Sequence, residues 1–257
     1  MIILVVSMHA AVTYSGVGSW YYTDKAHISK PVLFVFVTYQ AYLQAFFMGF
    51  LFFIAGLFVP ASYDRKGPLL FLRERAFRFG LPVLFYILVL GPVTEYFVAQ
   101  SWRPSEPSSF EHEWTKHIAN GEFLSGSGPL WFCLALLIFC VAYAAFRLIL
   151  RAPLTHPFTG VAPKTSLIWE FIALVSIATF LVRLVQPSGS SFFNMQLANF
   201  SQYIAMFVAG IFTFRSGWLQ SLPYRTGMRW LILAGTCGFA VWVSILILGG
   251  AFTGNAK

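Results

Sequence analysis

The sequence predicts an all-α fold, a polytopic bundle of about seven transmembrane helices, and three observations carry that expectation. Only 10% of the residues are charged while 58% are hydrophobic and 19% aromatic, which leaves too little charge to cover a soluble globule. Uncharged runs at 31–63, 123–146, 184–214 and 230–256 each exceed the roughly 20 residues needed to cross the hydrocarbon of a bilayer. The segments between the runs alternate between strongly basic and neutral, as loops on opposite faces of a membrane do.

Spans are expected at 1–13, 32–59, 79–99, 129–150, 167–186, 196–214 and 229–250. The first reaches polar sequence by Thr13, giving about 20 Å of helix, short for an unaided crossing. It lacks a basic n-region and a small-residue cleavage pattern, so it does not read as a signal peptide. The second carries Tyr39, Gln40, Tyr42 and Gln44, polar groups whose default role in a span is hydrogen bonding between helices. Asn194, Gln202 and Tyr203 are read the same way. Trp102, Trp114, Trp131, Trp169, Trp218 and Trp230 lie near span ends, where amphipathic rings sit at the headgroup level. The segment 100–128, rich in Pro, Ser, Gly and Glu, reads as a loop or short surface helix. No internal repeat is evident, and residues 1–257 are taken as a single transmembrane domain.

Charge gives the orientation. The segments 60–78, 147–166 and 215–228, with adjoining helix ends, hold Arg65, Lys66, Arg73, Arg75, Arg78, Arg147, Arg151, Lys164, Arg215, Arg225 and Arg229 against Asp64, Glu74 and Glu170. That face is +8 and the other is neutral, so the basic face is expected to be cytoplasmic, with the N-terminus inside. The net charge of +8 therefore points to the lipid bilayer as partner and not to nucleic acid. Cys133, Cys140 and Cys237 all lie in apolar runs without metal-ligand spacing and read as packing residues.

Few residues could carry chemistry. An ionisable group inside a span is costly and tends to face a cavity or a partner, which singles out His9. A neutral imidazole there could accept a proton from an attacking hydroxyl; the alternative is a histidine bonded to a neighbouring backbone. Arg75 and Arg78 are three apart, so on a helix they share a face and present two guanidinium forks to an anion such as a phosphate. The bland reading makes them topology signals touching lipid phosphate. His112 and His117 have the composition of a zinc helix, but at five apart they do not share one face, and no metal is expected. His27 and His156 fall in loops, and Glu95 and Glu170 lie near span ends.

The stretch Phe52-Phe53-Ile54-Ala55-Gly56-Leu57-Phe58, then Ser62, Arg65-Lys66-Gly67, Phe71-Leu72, Arg75, Arg78 and Pro82, resembles the membrane-bound acyltransferase-3 family. His9-Ala10 in the first span, Leu130-Trp131-Phe132 opening the fourth, and Tyr203 with Phe207-Val208-Ala209-Gly210 and Gly217-Trp218-Leu219 agree with the family in order. The resemblance implies a bacterial inner-membrane enzyme without a resident cofactor. It would move an acyl group, acetyl or succinyl, from cytoplasmic acyl-CoA, with acetyl-CoA the expected co-substrate, to a hydroxyl of a glycan or related acceptor. It implies a catalytic role for His9 and an acyl-donor role for Arg75 and Arg78. The family's arginine eleven residues before the histidine would precede Met1, and its members usually have about ten spans. The chain is therefore expected to be shortened at one or both ends. The competing readings are a multi-pass transporter or flippase of a glycan or lipid-linked substrate, which inverted repeats would favour, and an inactive remnant.

Overall fold

The computed structural model describes residues 1–18, 22, 24, 28–102, 109–121, 126–150, 160–187 and 191–248. Regular structure among them is helical: α1 (Ile2–Ser15), α2 (Lys30–Arg75), α3 (Leu81–Phe85), α4 (Gly91–Trp102), α5 (Phe110–Ala119), α6 (Trp131–Leu150), α7 (Thr165–Val185), α8 (Phe200–Ser216) and α9 (Tyr224–Leu248). Among the described residues, five helical stretches are long and apolar enough to cross a membrane: Lys30–Val98, Gly128–Leu150, Thr165–Val185, Leu197–Ser216 and Tyr224–Leu248. α1 is apolar but shorter. The all-helical membrane bundle is as expected.

The count of spans differs from the expectation in one informative way. The second and third expected spans lie in a single run of 69 residues, and the expected loop at 60–78 is helical. Charge stops a segment from entering hydrocarbon without stopping it from being a helix, and Leu69 through Arg75 are mostly good helix formers. Such a run would extend about 100 Å if straight, several times the hydrocarbon thickness. It is broken at Gly67, whose φ of 72° and ψ of 171° belong to a region essentially only glycine visits. Pro68 comes next, so helix resumes at a residue suited to a first turn. Wide π-type turns at Ala76–Gly80 and Tyr86–Leu90 precede Pro82 and Pro92, which cannot donate the usual main-chain hydrogen bond.

The chain forms two compact units. The first comprises Met1–Met48, Gly160–Ala162 and Gly217–Lys257. In it α1 is tied to α2 by a 2.6 Å hydrogen bond between the Ser7 and Tyr39 hydroxyls and by the Gln40 amide donating to Ser15 Oγ at 2.7 Å. α9 is tied to α2 by the Tyr42 hydroxyl donating to the Gly235 carbonyl at 3.2 Å and by Trp242 Nε1 donating to Thr38 Oγ1 at 3.2 Å. The polar groups of the second expected span thus include three, at Tyr39, Gln40 and Tyr42, that bond between helices.

The second unit comprises Gly49–Thr159 and Pro163–Ser216. Its centre is Phe52, 0% exposed, with ring centroids of Phe132, Phe139 and Tyr203 at 4.9, 5.0 and 5.0 Å. α2, α6 and α8 meet there. At the α2–α8 crossing a Cβ built on Gly56 would stand 2.2 Å from the Phe207 carbonyl oxygen, and one on Gly210 would stand 2.2 Å from that of Phe53. Two glycines let the backbones touch, as small residues do in membrane helix packing. Large apolar side chains elsewhere in this unit, Leu174 and Phe180 among them, are exposed, as a lipid-facing surface requires.

Candidate functional site

Past its last apolar turns, α2 carries the basic segment around a cavity of about 1130 Å³. Five cations line it: Arg65, Lys66, Arg73, Arg75 and Arg78, with Glu74 and Ser62 among them. Apolar side chains complete the lining: Ala55, Phe58 and Val59 of α2, Leu136 and Cys140 of α6, and Leu70, Phe77 and Phe79 among the cations. The cavity therefore offers guanidinium and ammonium donors for a polyanion together with apolar surface for an uncharged group. Lys66 and Glu74 form an ion pair across the Gly67 break. The Arg75 guanidinium lies over two rings, 5.1 Å from the Phe71 centroid and 5.7 Å from that of Phe79, and Phe71 is fully buried. Cation–π contact on both rings restricts where Arg75 can point.

Beside the cavity stands a second charged group. Asp64 Oδ1 accepts from Arg147 of α6 at 2.9 Å, and Asp64 Oδ2 lies 2.6 Å from the Arg215 guanidinium of α8. The Tyr143 hydroxyl accepts from both arginines, at 2.9 and 3.3 Å, and Arg147 lies 5.0 Å above the Tyr63 ring. The Arg147 and Arg215 side chains are only 10% and 13% exposed. Leu136, Cys140, Tyr143 and Arg147 are spaced by four, three and four, so one stripe of α6 both walls the cavity and makes the clamp.

The other end of α6 is held by polar main-chain contacts. Asn194, with a φ of 61°, accepts from the Gly128 amide through its side chain at 2.9 Å. The fully buried Ser127 donates to the Phe193 carbonyl at 2.7 Å. Nearby, α5 lies against α4, where His117 is buried with Nδ1 3.1 Å from Glu95 Oε2. His112 is exposed, so the two histidines of α5 face different surroundings.

Of the residues singled out in the sequence, Arg75, at the end of α2, and Arg78, within the π-type turn at Ala76–Gly80, both line the one cavity. His9 lies half-buried on α1, in the first unit. His27 and His156 lie outside the described residues. Arg65, Lys66 and Arg73 belong to the basic junction at 62–78 that the sequence marks out, where helical spacing assigns the anion to Arg75 and Arg78, but the sequence gives no role to the clamp at Asp64. Its one available signal is the presence of an acid amid so many cations, a charge that tends to be paired.

A family model described as an acyltransferase domain, acyltransferase-3, matches residues 1–256. No curated protein and no solved structure matches the chain.

Proposed function

The chain belongs to the acyltransferase-3 family, and from that premise we propose that it moves an acetyl or similar acyl group from acyl-CoA to a hydroxyl of a glycan or related acceptor. The observation that carries this reading is the cavity of about 1130 Å³ lined by five cations together with apolar side chains of α2 and α6. Coenzyme A has the matching chemistry, with several phosphate charges at one end and an uncharged thioester at the other. Arg75 and Arg78 hold the phosphates as charge-assisted forks. By the positive-inside rule this basic segment faces the cytoplasm, where acyl-CoA is made, and the N-terminus lies on that side of a bacterial inner membrane.

In this reading His9 is the general base. Its imidazole takes the acceptor's hydroxyl proton as the oxygen attacks the thioester carbonyl. The new carbon–oxygen bond forms, the carbon–sulfur bond breaks, and the coenzyme A thiolate leaves and is protonated. Neither metal nor resident cofactor takes part, and acyl-CoA serves as co-substrate.

Two measurements test the reading. A strain lacking this gene and complemented with His9→Ala should lose O-acylation of its glycan; unchanged acylation removes His9 from the mechanism. The purified Arg75→Ala/Arg78→Ala protein should bind acetyl-CoA at least tenfold more weakly than the parent. Equal affinity, or a parent that binds no acyl-CoA, sinks the donor assignment.

A further inference from the structure

The charged cluster beside the cavity has no place in the chemistry above, yet it holds two arginine side chains, Arg147 and Arg215, that are only 10% and 13% exposed. Asp64 receives one arginine on each carboxylate oxygen, from two different helices. A carboxylate so placed ties α2 to α6 and α8 at once. Removing it would leave two largely buried guanidinium groups sharing one tyrosine hydroxyl, with like charges facing one another and no counter-ion.

The position of that tie matters because the cavity's cations come next in the chain. Arg65 and Lys66, adjacent to Asp64, line the cavity. Gly67 then leaves the helical region altogether, so helical hydrogen bonding does not transmit rigidity from the apolar part of α2 to Arg73, Arg75 and Arg78. Side-chain contacts must supply it. The clamp supplies it at the last helical turn before the break, and through Tyr143 and Arg147 it acts on the same stripe of α6 whose Leu136 and Cys140 line the cavity.

We propose that Asp64 is a positioning residue for the donor cavity: by holding Arg147 and Arg215 it fixes the spacing between α2 and α6, and so the arrangement of the cations that receive the acyl donor. Asp64 does not touch the donor; it acts through the arginines. This rests on the cavity being the acyl-CoA site.

The test uses the full chain in lipid nanodiscs, with acetyl-CoA as probe, and reads the dissociation constant and the rise in melting temperature that acetyl-CoA produces. Asp64→Asn should weaken acetyl-CoA binding about tenfold and abolish most of the ligand-induced rise. The exchanged pair Asp64→Arg/Arg147→Asp, which keeps the cluster's composition, should return affinity to within about threefold of the parent. A folded Asp64→Asn protein with parental affinity overturns the proposal. So does a folded exchanged pair as weak as the single variant, since Asp64 would then act by itself. If Asp64→Asn does not accumulate, the exchanged pair alone decides. Failure of both to fold assigns the cluster to folding and overturns the positioning role. A parent chain that does not bind acetyl-CoA is a different result, one that removes the proposed function instead.

Discussion

The indole N–H of Trp114 donates to the main-chain carbonyl of Leu88 at 3.2 Å, and Leu88 is the residue whose usual partner would be the amide that Pro92 lacks. The π-type turn at Tyr86–Leu90 stands just before the proline, and a side chain from α5 brings a donor to this carbonyl. In hydrocarbon an unanswered carbonyl is costly, and neighbouring side chains commonly serve this purpose.

Trp114→Phe should therefore destabilise the detergent-solubilised chain by about 1 kcal/mol, the net worth of one such bond. Pro92→Ala restores a main-chain donor for Leu88. In that background Trp114→Phe should cost much less, and a double-mutant cycle on thermal unfolding measures the difference. Additive effects would mean that Trp114 anchors α5 by packing alone.

At the crossing of α2 and α8, Gly210→Ala places a methyl group 2.2 Å from the Phe53 carbonyl oxygen. The backbones must separate, and overpacking of this kind costs roughly 1–3 kcal/mol. Gly235, on α9, meets nothing within 4 Å, so Gly235→Ala should leave stability unchanged or raised by its helix propensity. Thermal unfolding of the two variants side by side checks the contrast.

These contacts mark where the sequence is legible and where it is not. Apolar runs at 32–59 and 129–150 are legible as helices because hydrocarbon demands length and satisfied backbone groups, whatever their partners. Arg75 and Arg78 are legible as a pair because helical spacing is local. The segment 60–78 reads as a loop but folds as helix, because charge marks the edge of a membrane and not the end of a helix. The link from Asp64 to Arg147 joins residues 83 apart, and no local period records it. Trp114 is legible as interfacial, but its service to Leu88 depends on how α5 docks, which local spacing does not encode.

Gly67→Ala tests the break in α2. A Cβ there meets nothing within 4 Å, so any cost comes from the backbone, held at φ 72° and ψ 171°. Such strain is of the order of 1–3 kcal/mol for a residue with a side chain. The expected outcome is a lower melting temperature with a weakened response to acetyl-CoA, because the cavity's cations lie on both sides of the break. A variant with unchanged stability and unchanged acetyl-CoA response would mean that this backbone conformation is not required.

Arg75 and Arg78 share the cavity but not their surroundings, and this separates them experimentally. Arg75 lies over Phe71 and Phe79. Lysine at that position keeps the charge but loses the planar fork and much of its stacking on those rings. Contacts of that strength are worth about 0.5–1 kcal/mol at partly exposed sites, a factor of roughly two to five in affinity. Arg75→Lys should weaken acetyl-CoA binding by that factor, and Phe71→Leu should weaken it similarly by releasing Arg75 from one of its rings. After Phe71→Leu, Arg75→Lys should add less than it does in the parent, since part of the arginine's advantage has already gone. Isothermal titration of acetyl-CoA against the three variants reads all of these. Equal, additive losses would mean that Arg75 binds through charge alone and that Phe71 acts only as packing.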